Sequence, residues 1–374
     1  MTFPRITMRR YRRRTSAAAR AKMAAAAIAT GLIIAQCGCA NNAPATGVSR
    51  GEDFLLNTHC EIAIFEMEAS KGEEKATLPD DVIQAAFRYA RSLENLLSRT
   101  VPASDVSAVN RAGSGEPVSV GSDASHVIGL GLHYSELSGG LFDMTIGAVS
   151  ELWNFSGENP SLPEPDDIER ALNGVGYTGI DLSERDAGGG GDSLVTKANA
   201  DTHIDLGGIA KGYIADRTKD FLTENGVKTA LINFGGNVVV LGNKADGSAW
   251  IIAVEEPFST EENAAGAQRL SGEISVRGGS VVTSGVYERK FVQDDVVYHH
   301  ILDPSTGYPR ESDVLSATII GPVSADCDAL STICLMLGAE QALELIEGLD
   351  GYELVVIKRD GSIEMTAGAL FTPY

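Results

Sequence analysis

The sequence predicts an α+β fold with a single large folded region. Three observations carry this expectation. Strand-like and helix-like stretches interleave without the strict strand-helix-strand rhythm of a doubly wound sheet, no internal repeat or linker divides the chain, and 43% of its 374 residues are hydrophobic with a mean hydropathy of −0.01. Such a chain can bury one large core or two modest ones, which excludes disorder and fibrous structure. Its 41 glycines and 6% aromatics suit a loop-rich globular enzyme better than a helical bundle or coiled coil.

The N-terminus reads as an address. A basic stretch (Arg5, Arg9, Arg10, Arg12, Arg13, Arg14, Arg20, Lys22) runs into the apolar segment Met23 to Ala35, too short to span a bilayer as a stable helix, which is the pattern of a signal peptide. It ends at Gln36-Cys37-Gly38-Cys39-Ala40-Asn41-Asn42, where small residues precede a cysteine and polar ones follow, as in a bacterial lipobox. Either Cys39 or Cys37 can be the lipid-bearing residue. The reading is export with a lipid anchor on the outer face of the cytoplasmic membrane, and the alternative is an ordinary cleaved signal. Residues 1–39 are accordingly taken as signal, 40–53 as a polar flexible tether and 54–374 as the folded domain.

Within the domain, Leu56 to Phe65 reads as a strand, with Lys71-Gly-Glu-Glu as its turn. An amphipathic helix follows Leu78-Pro79-Asp80 and carries Val82, Ala86, Phe87, Ala90, Leu93 and Leu97 on one stripe. Further helices are expected at Ala124 to Leu137 (stopping at Gly139-Gly140), at Asp166 with Glu169 as a capping box, at Asp205 to Asn225, at Ala325 to Leu337 and at Ala339 to Glu347. Gly188 to Gly191 reads as a surface loop, and strands are expected at Thr229–Asn233, Val238–Leu241, Trp250–Val254, Val281–Thr283 and Glu353–Ile357.

Charge and cysteine content narrow the function. Fifty-one acidic residues against 30 basic ones give a formal charge of −21, and all eight basic residues up to Lys22 lie in the signal segment. The remainder therefore holds 22 basic against 51 acidic side chains, a difference of −29, and nucleic acid is excluded as a partner. Beyond the lipobox only Cys60, Cys327 and Cys334 remain, an odd count without the regular spacing of a disulfide framework or a cysteine-rich zinc site, and Cys327 and Cys334, seven apart in one apolar helical pattern, are expected to be buried free thiols.

Three clusters can carry chemistry. In Thr202-His-Ile-Asp205-Leu-Gly207-Gly208-Ile-Ala-Lys211-Gly212-Tyr213 an apolar segment delivers an acid into a glycine turn that opens a helix. Free N–H groups at such a helix start suit a phosphate, and Lys211 reaches the same anion, although the turn alone also serves as plain packing. The second cluster, Thr283-Ser-Gly285 followed by Tyr298-His-His300-Ile-Leu-Asp303-Pro-Ser-Thr306-Gly307, offers histidine, the side chain best suited to proton transfer near neutral pH. There the competing reading is a hairpin turn with His300 as a satisfied strand residue. In the third, Asp328 and Thr332 stand at i and i+4 on one helix face, and their oxygens suit Mg²⁺ rather than Zn²⁺. An acid placed near a helix start for its dipole is the alternative there.

In this order, with Leu96-Leu-Ser-Arg-Thr-Val-Pro-Ala-Ser104-Asp105-Val-Ser-Ala-Val-Asn110, Gly140-Leu-Phe142-Asp143-Met-Thr145 and Asn233-Phe-Gly235-Gly236-Asn237, these pieces resemble the ApbE family of FAD:protein FMN transferases from about Leu56 to the C-terminus. The Asp-Leu-Gly-Gly-Ile-Ala-Lys-Gly-Tyr motif is highly specific. The resemblance implies a single T-fold-related domain of mixed or antiparallel sheets with packed helices. It also implies Mg²⁺-dependent transfer of FMN from FAD, the substrate, onto a threonine hydroxyl of a target flavoprotein of exported or membrane redox systems, with release of AMP. Asp328, Thr332 and the carbonyl of Gly208 are then Mg²⁺ ligands, and Leu56, Thr100, Leu141, Phe142, Asp143, Asp205, Lys211 and Ile301 line the FAD site. His300 matches the family histidine implicated in catalysis. Leu56 stands where many relatives carry Met, Thr100 where an aromatic often stacks on FAD, Met144 where Pro is common and Asn237 where Asp is common. Two alternatives remain open, a pyrophosphatase splitting FAD to FMN and AMP and a non-catalytic surface FAD-binding lipoprotein.

Overall fold

A computed structural model describes residues 47–68, 78–157, 159–183, 193–257 and 270–374. The signal segment 1–39, the tether up to residue 46, the Lys71 turn and the Gly188 loop lie outside the described residues. The chain enters the fold earlier than the sequence predicted. Ser49–Leu55 (β1) pairs antiparallel with Thr58–Met67 (β2), so Ser49 to Asp53 is strand rather than tether. Leu56 and Asn57, expected to start a strand, form the two-residue turn between them, both at positive φ (54° and 60°), as in a type I′ hairpin. The polar run Ser-Arg-Gly-Glu-Asp hides its strand character because β1 is an edge, held by the backbone ladder to β2.

Helix α1 (Pro79–Leu97) buries all six residues of the predicted stripe. It is followed by α2 (Asp105–Arg111), β3 (Val118–Val120), α3 (Ser122–Leu137), α4 (Gly147–Trp153), α5 (Pro165–Leu172), β4 (Ile180–Ser183) and β5 (Ser193–Lys197). The capping box expected at α5 does not form. The helix starts at Pro165, whose missing N–H costs nothing in a first turn, and no side chain caps it. The rest of the chain supplies α6 (Ala210–Glu224), β6 (Val227–Phe234), β7 (Asn237–Leu241), β8 (Trp250–Glu255), β9 (Leu270–Val276), β10 (Gly279–Gly285), β11 (Lys290–Gln293), β12 (Val296–His299), β13 (Val314–Gly321), α7 (Ser324–Leu337), α8 (Ala339–Glu347), β14 (Glu353–Lys358), β15 (Ile363–Met365) and β16 (Phe371–Pro373).

The fold is α+β, as predicted. Its centre is an eight-stranded antiparallel sheet in the order β1-β2-β6-β7-β10-β13-β14-β15. Both faces of the sheet are apolar, and the alternation of side chains along each strand sorts them into two layers. Val239 and Val282 pack with Ile214, Ala329 and Ile333 of the helices. Their neighbours Val238, Val240 and Val281 pack with Trp250, Ile252 and Ile274 of the small sheet β16-β9-β8 on the opposite face. Helices α6 and α7 lie against each other in the helical layer because residue 212 is glycine. A Cβ there would stand 2.2 Å from the carbonyl oxygen of Ser324. That close approach brings the start of α6 onto the flank of α7.

Candidate active site

The contact between α6 and α7 is polar at one point. Asp328, 1% exposed, accepts a hydrogen bond on Oδ2 from the Gly212 N–H at 3.0 Å and faces the Lys211 ammonium at 3.0 Å from Oδ1. Gly212 serves twice, since the bare backbone that lets α7 approach also exposes the N–H that Asp328 reads. A buried carboxylate is stable only when paired and hydrogen-bonded, and here it is both. One turn on, the Thr332 hydroxyl lies 3.4 Å from the Asp328 carbonyl oxygen and 3.3 Å from Ser284 Oγ, which also meets Ser331 Oγ at 2.8 Å. The helix register and the end of β10 therefore gather one carboxylate and three hydroxyls beside the lysine.

The second histidine of the Tyr298-His-His300 run sits just past β12. Its backbone N–H donates to the carbonyl oxygen of Arg289 at 3.1 Å, and its Nδ1 lies 3.3 Å from the same oxygen. A carbonyl can only accept, so the ring proton belongs on Nδ1 and Nε2 keeps a lone pair. Burial, reinforced by the Arg289 charge, pushes this imidazole down to about 3, so it is neutral at physiological pH. The Lys211 charge acts in the same direction, which sets the ammonium and the imidazole in one electrostatic neighbourhood.

Glu288 joins them, and the sequence reading missed it. Its Oε1 accepts from the Gly285 N–H at 3.2 Å. The residue is exposed, yet protein atoms closely surround its carboxyl. That enclosure, with Asp328 nearby and against the opposing charges of Lys211 and Arg289, pushes it up to about 7. The one local hint was an acid three residues beyond the Thr-Ser-Gly turn; its charged neighbours come from other elements.

The remaining predicted residues divide into two groups. Around the glycine turn, Asn110 clamps Ile204 by accepting from its N–H at 2.7 Å and donating to its carbonyl at 2.9 Å, and Asp205 N donates to the Met144 carbonyl at 2.7 Å. Asp205 closes the turn through Oδ1, which accepts from Gly207 N–H at 2.9 Å, while Oδ2 accepts from Arg99 Nε at 3.0 Å. Phe142 packs on Gly208 so closely that a Cβ on that glycine would meet the ring at 2.8 Å. Asp143 is buried with both oxygens engaged, Oδ1 by the Thr145 N–H and hydroxyl of its own loop (2.8 and 2.6 Å) and Oδ2 by the N–H of Tyr177, 34 residues on (3.0 Å). Its carboxylate thus shapes the Leu141-Phe142-Asp143 segment. In the second group, Leu56 N–H donates to Glu94 at 2.7 Å, Thr100 is exposed beside Ser98, and Ile301, next to His300, is buried in the main core. Asp303 organises its Pro-Ser-Thr-Gly turn through Ser305 and Arg310, the turn reading of that segment.

Among the described residues no group of three or more His, Cys, Asp and Glu side chains is arranged to hold a metal. The predicted set has a different character, with one carboxylate, hydroxyls and a backbone carbonyl. Its chemistry fits a hard cation that prefers oxygen, and Asp328 already balances a positive charge at this spot. The buried free thiols expected of Cys327 and Cys334 are found, and Cys60 is buried and free as well.

The clusters above lie in one matched stretch, since residues 56–356 fit the model of the ApbE family. The chain belongs to the ApbE family. Its relatives include an FAD:protein FMN transferase of Treponema pallidum, 32% identical over 348 residues that cover 90% of this chain and 92% of that one. One from Klebsiella pneumoniae is 33% identical over 281 residues, 75% of this chain and 83% of its own. The crystal structure of the ApbE protein of Thermotoga maritima superimposes with a TM-score of 0.72 at 32% identity, covering 86% of this chain and 97% of that one. Both ends of the ApbE match, at residues 56 and 356, fall inside the described fold, on the β1–β2 turn and on β14.

Proposed function

We propose that this ApbE-family chain is a transferase that moves FMN from FAD onto a threonine hydroxyl of a target flavoprotein, with Mg²⁺ required and AMP released. The observation that carries the reading is the position of Lys211. Its ammonium is bonded to Asp328, and its charge is felt by both His300 and Glu288. A phosphate-binding cation, an oxygen-donor cluster and a neutral imidazole thus share one site.

The threonine oxygen bonds to the FMN phosphorus, the bond from that phosphorus to the bridging oxygen breaks, and the bridging oxygen leaves on AMP. The threonine proton passes to Nε2 of His300, the nitrogen that the Arg289 carbonyl leaves free. That lone pair is unprotonated at neutral pH, and the burial and cationic neighbours that hold it down to about 3 leave it a weak base until the substrate's negative charge lies beside it. Lys211 places its charge on the diphosphate, whereas the N–H groups of Gly207, Ala210, Gly212 and Tyr213 around the start of α6 are already bonded within the protein. Asp205, held by Arg99 and its own turn, fixes the Gly207-Gly208 backbone against which FAD would lie. Asp328 and Thr332 through side-chain oxygens, with the Gly208 carbonyl, would hold Mg²⁺. When bound, the ion supplies charge neutralisation on the diphosphate oxygens, the main requirement of phosphoryl transfer.

The proposed setting is the outer face of the cytoplasmic membrane, with the lipid on Cys39 or Cys37 as the only membrane contact. Among the described residues no helix is long and apolar enough to cross a membrane. The deciding experiment incubates the purified protein with FAD and Mg²⁺, with and without a candidate target, and measures AMP and protein-bound flavin. Flavin on the target with equal AMP supports transfer. AMP without a target identifies a pyrophosphatase, and FAD binding without either product identifies a storage protein.

A further inference from the structure

We propose that Lys211 is an internal stand-in for the metal: it occupies Asp328 in the cation-free protein, and a divalent cation enters only by displacing its ammonium, which then moves onto the diphosphate. This rests on the metal assignment made above and goes further, to the order and coupling of the two binding events.

The geometry leaves little alternative. Both carboxylate oxygens of Asp328 are engaged, Oδ1 by Lys211 and Oδ2 by the Gly212 N–H, each at 3.0 Å, and the side chain is only 2% exposed. Mg²⁺ bonds its oxygens at about 2.0–2.1 Å. An ion on Oδ1 would therefore stand within a few ångströms of the ammonium, and the two positive charges exclude each other in an enclosed site. Asp328 cannot be the partner that moves, because it projects from a helix buried along most of its length. Lys211 can, because it is 21% exposed, sits on the first turn of α6 and has a flexible four-carbon stem.

A displaced ammonium needs another anion. Glu288 is close enough for its charge and that of Lys211 to influence each other, but its carboxyl, pushed up to about 7, is only partly charged at neutral pH. The diphosphate of FAD is the stronger anion. The cation-free site is thus neutralised by its own lysine, which protects the buried carboxylate from standing unpaired. Cation and diphosphate each remove a cost that the other would otherwise bear. Their binding must be cooperative, and by linkage the effect is reciprocal.

The test uses the full-length protein, with Mn²⁺ followed by electron paramagnetic resonance as the cation and ADP as the diphosphate. Without ADP, Lys211→Met should bind Mn²⁺ more tightly than wild type, within the roughly 5–150-fold range of such couplings, whereas Lys211→Arg should stay close to wild type. ADP should tighten Mn²⁺ binding in wild type, and this gain should shrink in Lys211→Met. Equal Mn²⁺ affinity of wild type and Lys211→Met without ADP, or an equal gain from ADP in both, overturns the exchange. If Lys211→Met is poorly folded without metal, its melting temperature tests the same exchange, since Mn²⁺ should raise it more than in wild type and an equal or smaller rise counts against the proposal. Asp328→Asn separates the two levels. Wild-type Mn²⁺ binding by Asp328→Asn refutes the metal assignment itself, whereas its loss there with no change in Lys211→Met refutes only the exchange.

Discussion

Nδ1 of His300 lies 3.3 Å from the carbonyl oxygen of Arg289, so one backbone oxygen fixes both the tautomer and the free nitrogen of the ring. Replacing His300 by Ala removes the proton acceptor while leaving the groups that hold the diphosphate. Single-turnover flavin transfer should slow by roughly 10²–10⁴-fold, with FAD affinity nearly unchanged. A variant that binds FAD weakly and transfers normally would make His300 a binding residue.

Asp328 separates chemistry from stability. From the sequence it is a metal candidate or an acid near a helix start, and α7 is buried around it. Asp328→Asn keeps an oxygen to accept from the Gly212 N–H and should stay folded without Mg²⁺-dependent turnover. Asp328→Ala also strands that N–H, and should lose a further ~1–3 kcal/mol of stability. Denaturant melts alongside turnover assays distinguish the two, and full activity of either variant at ordinary Mg²⁺ concentration contradicts the ligand role.

Gly212→Ala tests the helix contact itself. The added methyl carbon would stand 2.2 Å from the Ser324 carbonyl oxygen, a backbone atom that cannot rotate away. Separation of α6 from α7 should cost about 1–3 kcal/mol, and the Asp328 hydrogen bond should weaken with it. An unchanged thermal midpoint would show that the helices slide freely.

His299 gives a pH prediction. It is 3% exposed, neither ring nitrogen has a hydrogen-bond partner, and burial pushes it down to about 4 from an unfolded value near 6.5. Between those values the unfolded chain binds more protons than the folded one, so this residue's contribution to stability rises with pH over that window and falls as the pH drops through it. His299→Phe should flatten stability against pH between about 4 and 6.5, as read from urea melts across that range. An identical slope in the variant would mean that the ring is solvated.

The proposed anchor is tested by cysteine replacement. Cys39→Ala, or Cys37→Ala if that residue bears the lipid, should release the protein from membranes with its activity intact. Membrane fractionation of both single variants and the double variant decides it, and unchanged retention in all three excludes a lipid anchor.

The sequence by itself determined the elements whose signal is local. The stripe from Val82 to Leu97 set the face of α1, the apolar run Val238–Leu241 marked a strand, and the Asp205-to-Tyr213 motif marked a glycine turn opening a helix. These patterns depend on backbone period and turn chemistry, which are written into neighbouring residues. Only the tertiary structure decided that Lys211 neutralises Asp328 from 117 positions away, that the Glu288 carboxyl feels both charges, that Asp143 ties its loop to Tyr177, and that the polar run from Ser49 is an edge strand. Each of those outcomes depends on which segments meet when two apolar sheet faces are covered. The close α6–α7 contact permitted by Gly212 turns the acid that spacing marked on one helix face into a buried charge that must always have a partner.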